Sequence, residues 1–141
     1  MKILYVIAVL VMAWPTGAFA QRFERLPASR SGVTFRNDIV ESDTFNVLAD
    51  FYAYNGGGVA AADLDGDGRV DLVFSSTQNG LSAYRNLGDL RFEDITERSR
   101  LAITDGQVNT GVLVVDLTGD GRPDIYLCRR YQPNRLYVNN G

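Results

Sequence analysis

From residue 58 onward, apolar and polar positions change over within a few residues, and no apolar stripe lasts long enough to suggest an amphipathic helix. Val59 to Ala62, Val70 to Ser75, Leu81 to Arg85 and Arg91 to Thr96 are short apolar-rich runs. Each is bounded by Gly, Asn or Asp, the residues that turn a chain between strands. The same pattern returns in Gly111-Val-Leu-Val-Val115, Ile125-Tyr-Leu127 and Leu136 to Asn139. These runs predict short strands grouped into two successive units. Residues 21–57 are different. They hold one strand-like piece, Gly32-Val-Thr-Phe35, then an Asp/Ser/Asn-rich stretch that ends in Asn55-Gly-Gly-Gly58.

The two units are copies. Asp63-Leu-Asp-Gly-Asp-Gly-Arg-Val-Asp71 and Asp116-Leu-Thr-Gly-Asp-Gly-Arg-Pro-Asp124 begin 53 residues apart. At that offset Gly58 falls on Gly111, Ser75 on Cys128, Tyr84 on Tyr137, Asn86 on Asn139 and Gly88 on Gly141. The repeat therefore contains no insertion, and the chain divides into a lead-in (21–57), a first repeat (58–110) and a second repeat (111–141). The second lacks a counterpart of the Arg91 to Thr96 strand. Four short strands in about fifty residues is the signature of a propeller blade, and blades bury their faces only against neighbours. The expected fold is all-β, built of β-propeller blades, with the chain an N-terminal fragment of a larger ring.

Residues 1–20 form a separate segment: Lys2, an apolar run from Ile3 to Ala13, Pro15, and Ala18-Phe-Ala20 before Gln21. This is the pattern of a cleaved secretory signal peptide, and its apolar run is too short to span a bilayer. Export to the periplasm, the cell surface or the medium is expected, with no membrane span in the mature chain. The chain has a formal net charge of −3, and loss of the leader removes one lysine and no acid. An acidic protein is a poor partner for nucleic acid. Arg129-Arg130 beside Tyr131 is the one cationic spot, read as solvated surface. Cys128 is the sole cysteine and there is no histidine, so neither an intrachain disulfide nor a Cys–His nucleophile can form. Cys128 reads as a buried strand residue.

The repeated nonapeptides carry the chemistry. Oxygen-bearing residues at positions 1, 3, 5 and 9, with glycines at 4 and 6, suit a hard cation such as Ca2+. In the first loop the ligands would be Asp63, Asp65, Asp67, the Arg69 carbonyl and Asp71. In the second they would be Asp116, Thr118, Asp120, the Arg122 carbonyl and Asp124. Without a metal, four carboxylates in nine residues are expected to repel one another. An EF-hand requires an acid at position 12 and flanking helices, but Phe74 and Leu127 stand there and the flanks are strand-like.

Val-Ala-Ala-Ala-Asp63-Leu-Asp-Gly-Asp-Gly-Arg-Val-Asp71-Leu-Val resembles an FG-GAP or VCBS repeat, the unit of integrin-like seven-bladed propellers. Ser31-Gly-Val-Thr-Phe35, Tyr54-Asn-Gly-Gly-Gly-Val-Ala60, Tyr84-Arg-Asn86 with Phe92-Glu-Asp-Ile-Thr96, and Asn134-Arg-Leu-Tyr-Val-Asn139 are similar to exported VCBS proteins of the ASPIC/UnbV group, to which cartilage acidic protein is related. The resemblance implies a calcium-stabilised extracytoplasmic scaffold that recognises proteins or glycans without chemistry of its own. Thr118 departs from the family pattern at a position where Asp or Asn is usual. The rival reading is a propeller-type lyase or glycosidase with its catalytic groups elsewhere, since fold alone does not exclude an enzyme. Glu24, Glu41, Glu93 and Glu97 are the acids outside the loops from which a carboxylate pair would be drawn.

Overall fold

The structure is a computed structural model that describes residues 22–103 and 105–141. The signal segment, 1–20, lies outside the described residues. One short helix, α1 (Ala28–Ser31), precedes seven strands: β1 (Gly58–Ala62), β2 (Asp71–Ser76), β3 (Gly80–Gly88), β4 (Arg91–Asp94), β5 (Asn109–Val115), β6 (Asp124–Arg129) and β7 (Arg135–Tyr137). They form two antiparallel meanders, β1-β2-β3-β4 and β5-β6-β7. The strands fall where turn residues bracket apolar runs. No helix among the described residues is long and apolar enough to cross a membrane.

The expected strand at Gly32 to Phe35 is not formed. Gly32 ends α1 in a left-handed conformation, and residues 33–36 run on without pairing into either sheet. Packing holds this segment instead. Phe35 stacks on Phe74 with ring centroids 4.7 Å apart, Phe74 meets Tyr84 edge-on at 5.8 Å, and the Thr34 hydroxyl lies 3.4 Å from that of Tyr84. The lead-in thus covers one face of the first sheet. Its aromatic anchor was visible in the sequence; the surface it covers was not.

Strand register explains how the sheets stack. Ala60 stands opposite Val73, and Val73 opposite Ala83, so these three share a face. In the second sheet, Val112 pairs with Leu127, Val114 with Ile125, and Ile125 with Tyr137. The two faces close on each other, and Val73, Leu81, Ala83, Ile125 and Leu127, with Leu101 and Ile103 from the β4–β5 connection, form the core. At the 53-residue offset Leu127 corresponds to Phe74, while Val73 corresponds to Tyr126. The sheets therefore stack head to tail. The face that the second sheet buries is the one Phe35 covers on the first.

The opposite face of the second sheet is open. Leu113, Val115 and Leu136, which correspond to Ala60, Ala62 and Ala83, are 51%, 41% and 48% exposed. Close approach of the neighbouring strand β2 accounts for Gly57, and close approach of the second sheet for Gly58. A Cβ on Gly57 would lie 1.6 Å from the Ser75 carbonyl oxygen, and one on Gly58 would lie 2.9 Å from the Val112 nitrogen.

The stacking predicts unequal losses on truncation. Leu127→Ala, at a fully buried site, should cost about 3 kcal/mol, whereas Leu113→Ala on the open face should change stability by less than about 1 kcal/mol. Chemical denaturation of both variants checks this, and equal losses would contradict the assignment of faces.

Candidate metal centre

Each nonapeptide links the first two strands of its sheet, β1 to β2 and β5 to β6. Glycines at positions 4 and 6 adopt positive φ in both copies: 77° and 82° at Gly66 and Gly68, 78° and 85° at Gly119 and Gly121. A side chain would be strained at these angles, and the resulting path turns successive backbone N–H groups inward. The position 1 carboxylate accepts them. Asp63 Oδ1 takes the N–H of Gly66 and Asp67 at 2.8 and 3.1 Å, and Oδ2 that of Gly68 at 2.8 Å. Asp116 repeats the set with Gly119, Asp120 and Gly121 at 2.6, 3.3 and 2.8 Å.

Position 9 closes the loop from the other side. Asp71 is buried at the start of β2, where Oδ2 accepts from Leu64 N–H at 2.9 Å and Oδ1 from Asn86 N–H at 2.7 Å. Asp124 does the same with Leu117, Thr118 and Asn139, at 3.0, 3.1 and 2.9 Å. Asn86 and Asn139, which the sequence marked only as matching positions, tie each turn to its third strand. Each accepts the position 7 arginine Nε on its carbonyl, Arg69 at 2.8 Å and Arg122 at 2.9 Å. Each side-chain amide also donates to the carbonyl before position 9, Val70 at 2.8 Å and Pro123 at 3.3 Å. Asn139 reaches further, giving a 2.9 Å bond to the Leu64 carbonyl of the first loop. An Asn at the same offset as the loop, ending an apolar strand, was the available signal.

Asp63, Asp65 and Asp71 each place a carboxylate oxygen within 4.8 Å of the other two. Oxygens on opposite sides of one calcium ion stand about 4.8 Å apart, so this spacing is what a single ion can bridge. Asp67 is not in the group. Its Oδ2 pairs with Arg69 and, at 3.1 Å, with Arg85, while Arg85 Nε holds Asp65 at 2.6 Å. Burial pushes the Asp67 carboxyl up, but the Arg69 N–H and both guanidinium groups outweigh it and hold Asp67 below the ordinary 3.8. The hydrogen bond to Asp67 in turn raises Arg85.

The second loop is simpler. Thr118 replaces Asp65, Val138 stands where the first repeat has Arg85, and Asp120 pairs with Arg122 alone. No further group of three acids meets the same spacing among the described residues. The expected uncompensated repulsion is not found in either loop. Backbone N–H groups and arginines offset the carboxylates, which removes repulsion as an argument for a metal and leaves the donor set itself: hard oxygens around one point, of the kind calcium takes.

The other candidates are dispersed. Glu93 pairs with Arg98 at 3.1 Å, Glu41 accepts from the Tyr54 hydroxyl, and Glu24 is exposed on the lead-in. Arg129 and Arg130 are not free surface: Arg129 pairs with Asp105 at 2.8 Å, and Arg130 with the buried Asp50. Cys128 is half-buried in β6, opposite Gly111, and so less enclosed than its sequence suggests.

These features define a tandem repeat of antiparallel β-sheets, each opened by an acidic turn. Residues 63–127 match the family model described as an FG-GAP-like repeat. The match runs from the first residue of the first acidic turn into β6. No curated protein matches the chain.

The second loop should be acid-sensitive. The Gly121 N–H, opposed by burial and aided by Gly119 and Asp120, holds Asp116 below the ordinary 3.8. The Asn139 N–H, with Leu117 and Thr118, does the same for Asp124 against burial. Folded values below the unfolded ones mean that this stabilisation is whole above the ordinary value and is lost as pH falls through the folded values. Amide exchange read from about pH 5 downward should show β5–β7 losing protection below about pH 4. Asp116→Asn should flatten that dependence, and an unchanged profile would count against it.

Proposed function

We propose that the chain is an exported, calcium-braced β-propeller segment that recognises a protein or glycan and performs no catalysis. The observation that carries this reading is the nine-position loop, built twice with the same hydrogen bonds and gathering three carboxylates in its first copy. Asp63, Asp65 and Asp71 would hold Ca2+ in the first loop, joined by Asp67 and the Arg69 carbonyl. Asp116, Thr118, Asp120, Asp124 and the Arg122 carbonyl would hold it in the second. The ion would bridge the oxygens of the turn and add rigidity, as calcium does in extracellular modules.

Head-to-tail stacking supports the propeller arrangement. The open face at Leu113, Val115 and Leu136 suits a further sheet presenting the equivalent of Leu127, and repeated addition in one sense closes a ring. Seven blades, kinship with the ASPIC/UnbV group and an adhesive role follow from the sequence resemblance. Export to the periplasm, cell surface or medium follows from the Ile3 to Ala13 run and Ala18-Phe-Ala20.

Calcium should raise the melting temperature. With a dissociation constant of roughly 0.1 to 1 mM, calcium at about twenty times that value adds about 1.8 kcal/mol per site. Excess EGTA should reverse the gain, and identical melting curves with calcium and with EGTA would sink the metal assignment.

Arg85 sets the balance between the loops. Four carboxylates against three rank the first loop as the tighter by ligand charge, but Arg85 must release Asp65 and Asp67 before an ion can use them. Arg85→Gln should tighten the first site roughly two- to fivefold, the worth of a partly exposed ion pair, and leave the second unchanged. Calorimetry reads both sites, and a weakened first site would show that Arg85 supports the loop instead of competing for it.

A further inference from the structure

The end of the sheets remote from the acidic loops holds a cavity of about 250 Å³. Three parts of the chain meet there: the lead-in (Tyr52, Asn55), the residue after β2 (Thr77), and the ends of β5 and β6 (Asn109, Thr110, Arg130). Asn109 is the unusual member. It is 1% exposed, its Nδ2 donates to the Ser76 carbonyl at 3.0 Å and to the Gln107 carbonyl at 3.4 Å, and its Oδ1 has no partner. Two carbonyl acceptors fix the amide orientation, because a flipped amide would set oxygen against oxygen. A buried acceptor fixed in this way carries a desolvation cost until a donor reaches it.

The surroundings define that donor. Arg130 is clamped between Tyr52 and Tyr131, its guanidinium carbon 4.7 Å from each ring centroid, and it is ion-paired with Asp50. Tyr131 donates its hydroxyl to the same carboxylate at 3.1 Å. The Arg130 charge is therefore already balanced, and the cavity has no call for an anion. Thr77 Oγ1 accepts from Asn37 Nδ2 at 3.1 Å, leaving its proton to donate. A ligand that engaged both would donate to Asn109 and accept from Thr77. Hydroxyl groups do both. The volume falls just below the usual range for drug-sized ligands, which fits a single sugar ring.

We propose that this cavity is a saccharide subsite, in which Asn109 Oδ1 accepts from a sugar hydroxyl and the Tyr52 ring borders the sugar. The proposal rests on the recognition reading above and selects glycan over protein for this surface. The probes are glucose, galactose, mannose and N-acetylglucosamine, titrated into the isotope-labelled chain and followed by two-dimensional NMR. At least one should bind with a dissociation constant on the order of 1 to 10 mM, the weak range expected of so small a contact, and shift the Asn109 side-chain amide and the Thr110 backbone amide. Tyr52→Ala should weaken binding at least about fivefold, and Thr110→Trp, at an exposed position on the rim, should abolish it by filling the cavity. Neither variant touches the buried Asn109 tie, and each spectrum reports whether the fold is kept. Shifts confined to other residues, or binding unchanged in folded Thr110→Trp, would overturn the cavity while leaving glycan recognition standing. No shift with any of the four sugars on the folded chain would overturn the subsite and leave protein recognition as the surviving form of the reading above.

Discussion

A buried carboxylate at the ninth position of each turn is the constraint on which the architecture rests. Asp71 and Asp124 are almost wholly enclosed, and burying an ionised group is costly unless its oxygens are satisfied. Both oxygens of each find backbone N–H donors, one set from the entry of the turn and one from the Asn that follows in the third strand. The acid thereby fixes three things at once: where the turn begins, where the second strand starts, and where the third strand ends. Sheet register follows from that clamp, and core packing follows from register. The Asn139 amide extends the same device between sheets by tying the second clamp to the Leu64 carbonyl of the first loop.

Charge around the turns changes in matched steps. The first loop has one more acid than the second, Asp65 in place of Thr118, and one more arginine, Arg85 in place of Val138. Each turn therefore carries the same excess of acids over arginines, although the first has the richer set of oxygens. Coulombic interactions at such half-exposed sites are modest, so the backbone hydrogen bonds hold the turns while the arginines balance the acids around them. Acids spaced as one metal ion would need and a structural clamp thus share the same few residues.

The two ends of the sheets have different chemistry. The end with the turns is acidic and closed by backbone donors. The remote end gathers aromatic rings, amides and a neutralised arginine around a cavity that exists only because the lead-in folds back against both repeats. That division suits a scaffold in which one end braces the stack and the other meets a partner. It also gives the lead-in two uses: Phe35 covers an apolar face, and Asp50 with Tyr52 positions Arg130.

Strand positions were legible from sequence because each apolar run is short and bracketed by turn residues, and the 53-residue repeat gave two readings of the same unit. The acidic turns were equally plain, since glycine at positions 4 and 6 has a strict backbone reason. What the sequence by itself could not decide depended on which surfaces meet. Gly32 to Phe35 has strand-like composition, yet it joins neither sheet, and its Phe35 ring stacks on Phe74 across the face of the first. Asp67 has the same place in the motif as its fellow acids, but two guanidinium groups, one of them 18 residues away on β3, draw it aside. Asn109 is an unremarkable polar residue until three segments converge on it. Local pattern determined the elements and the loops; long-range contact decided how charges are shared, which face stays open and where a cavity forms, because those depend on distances that periodicity does not carry.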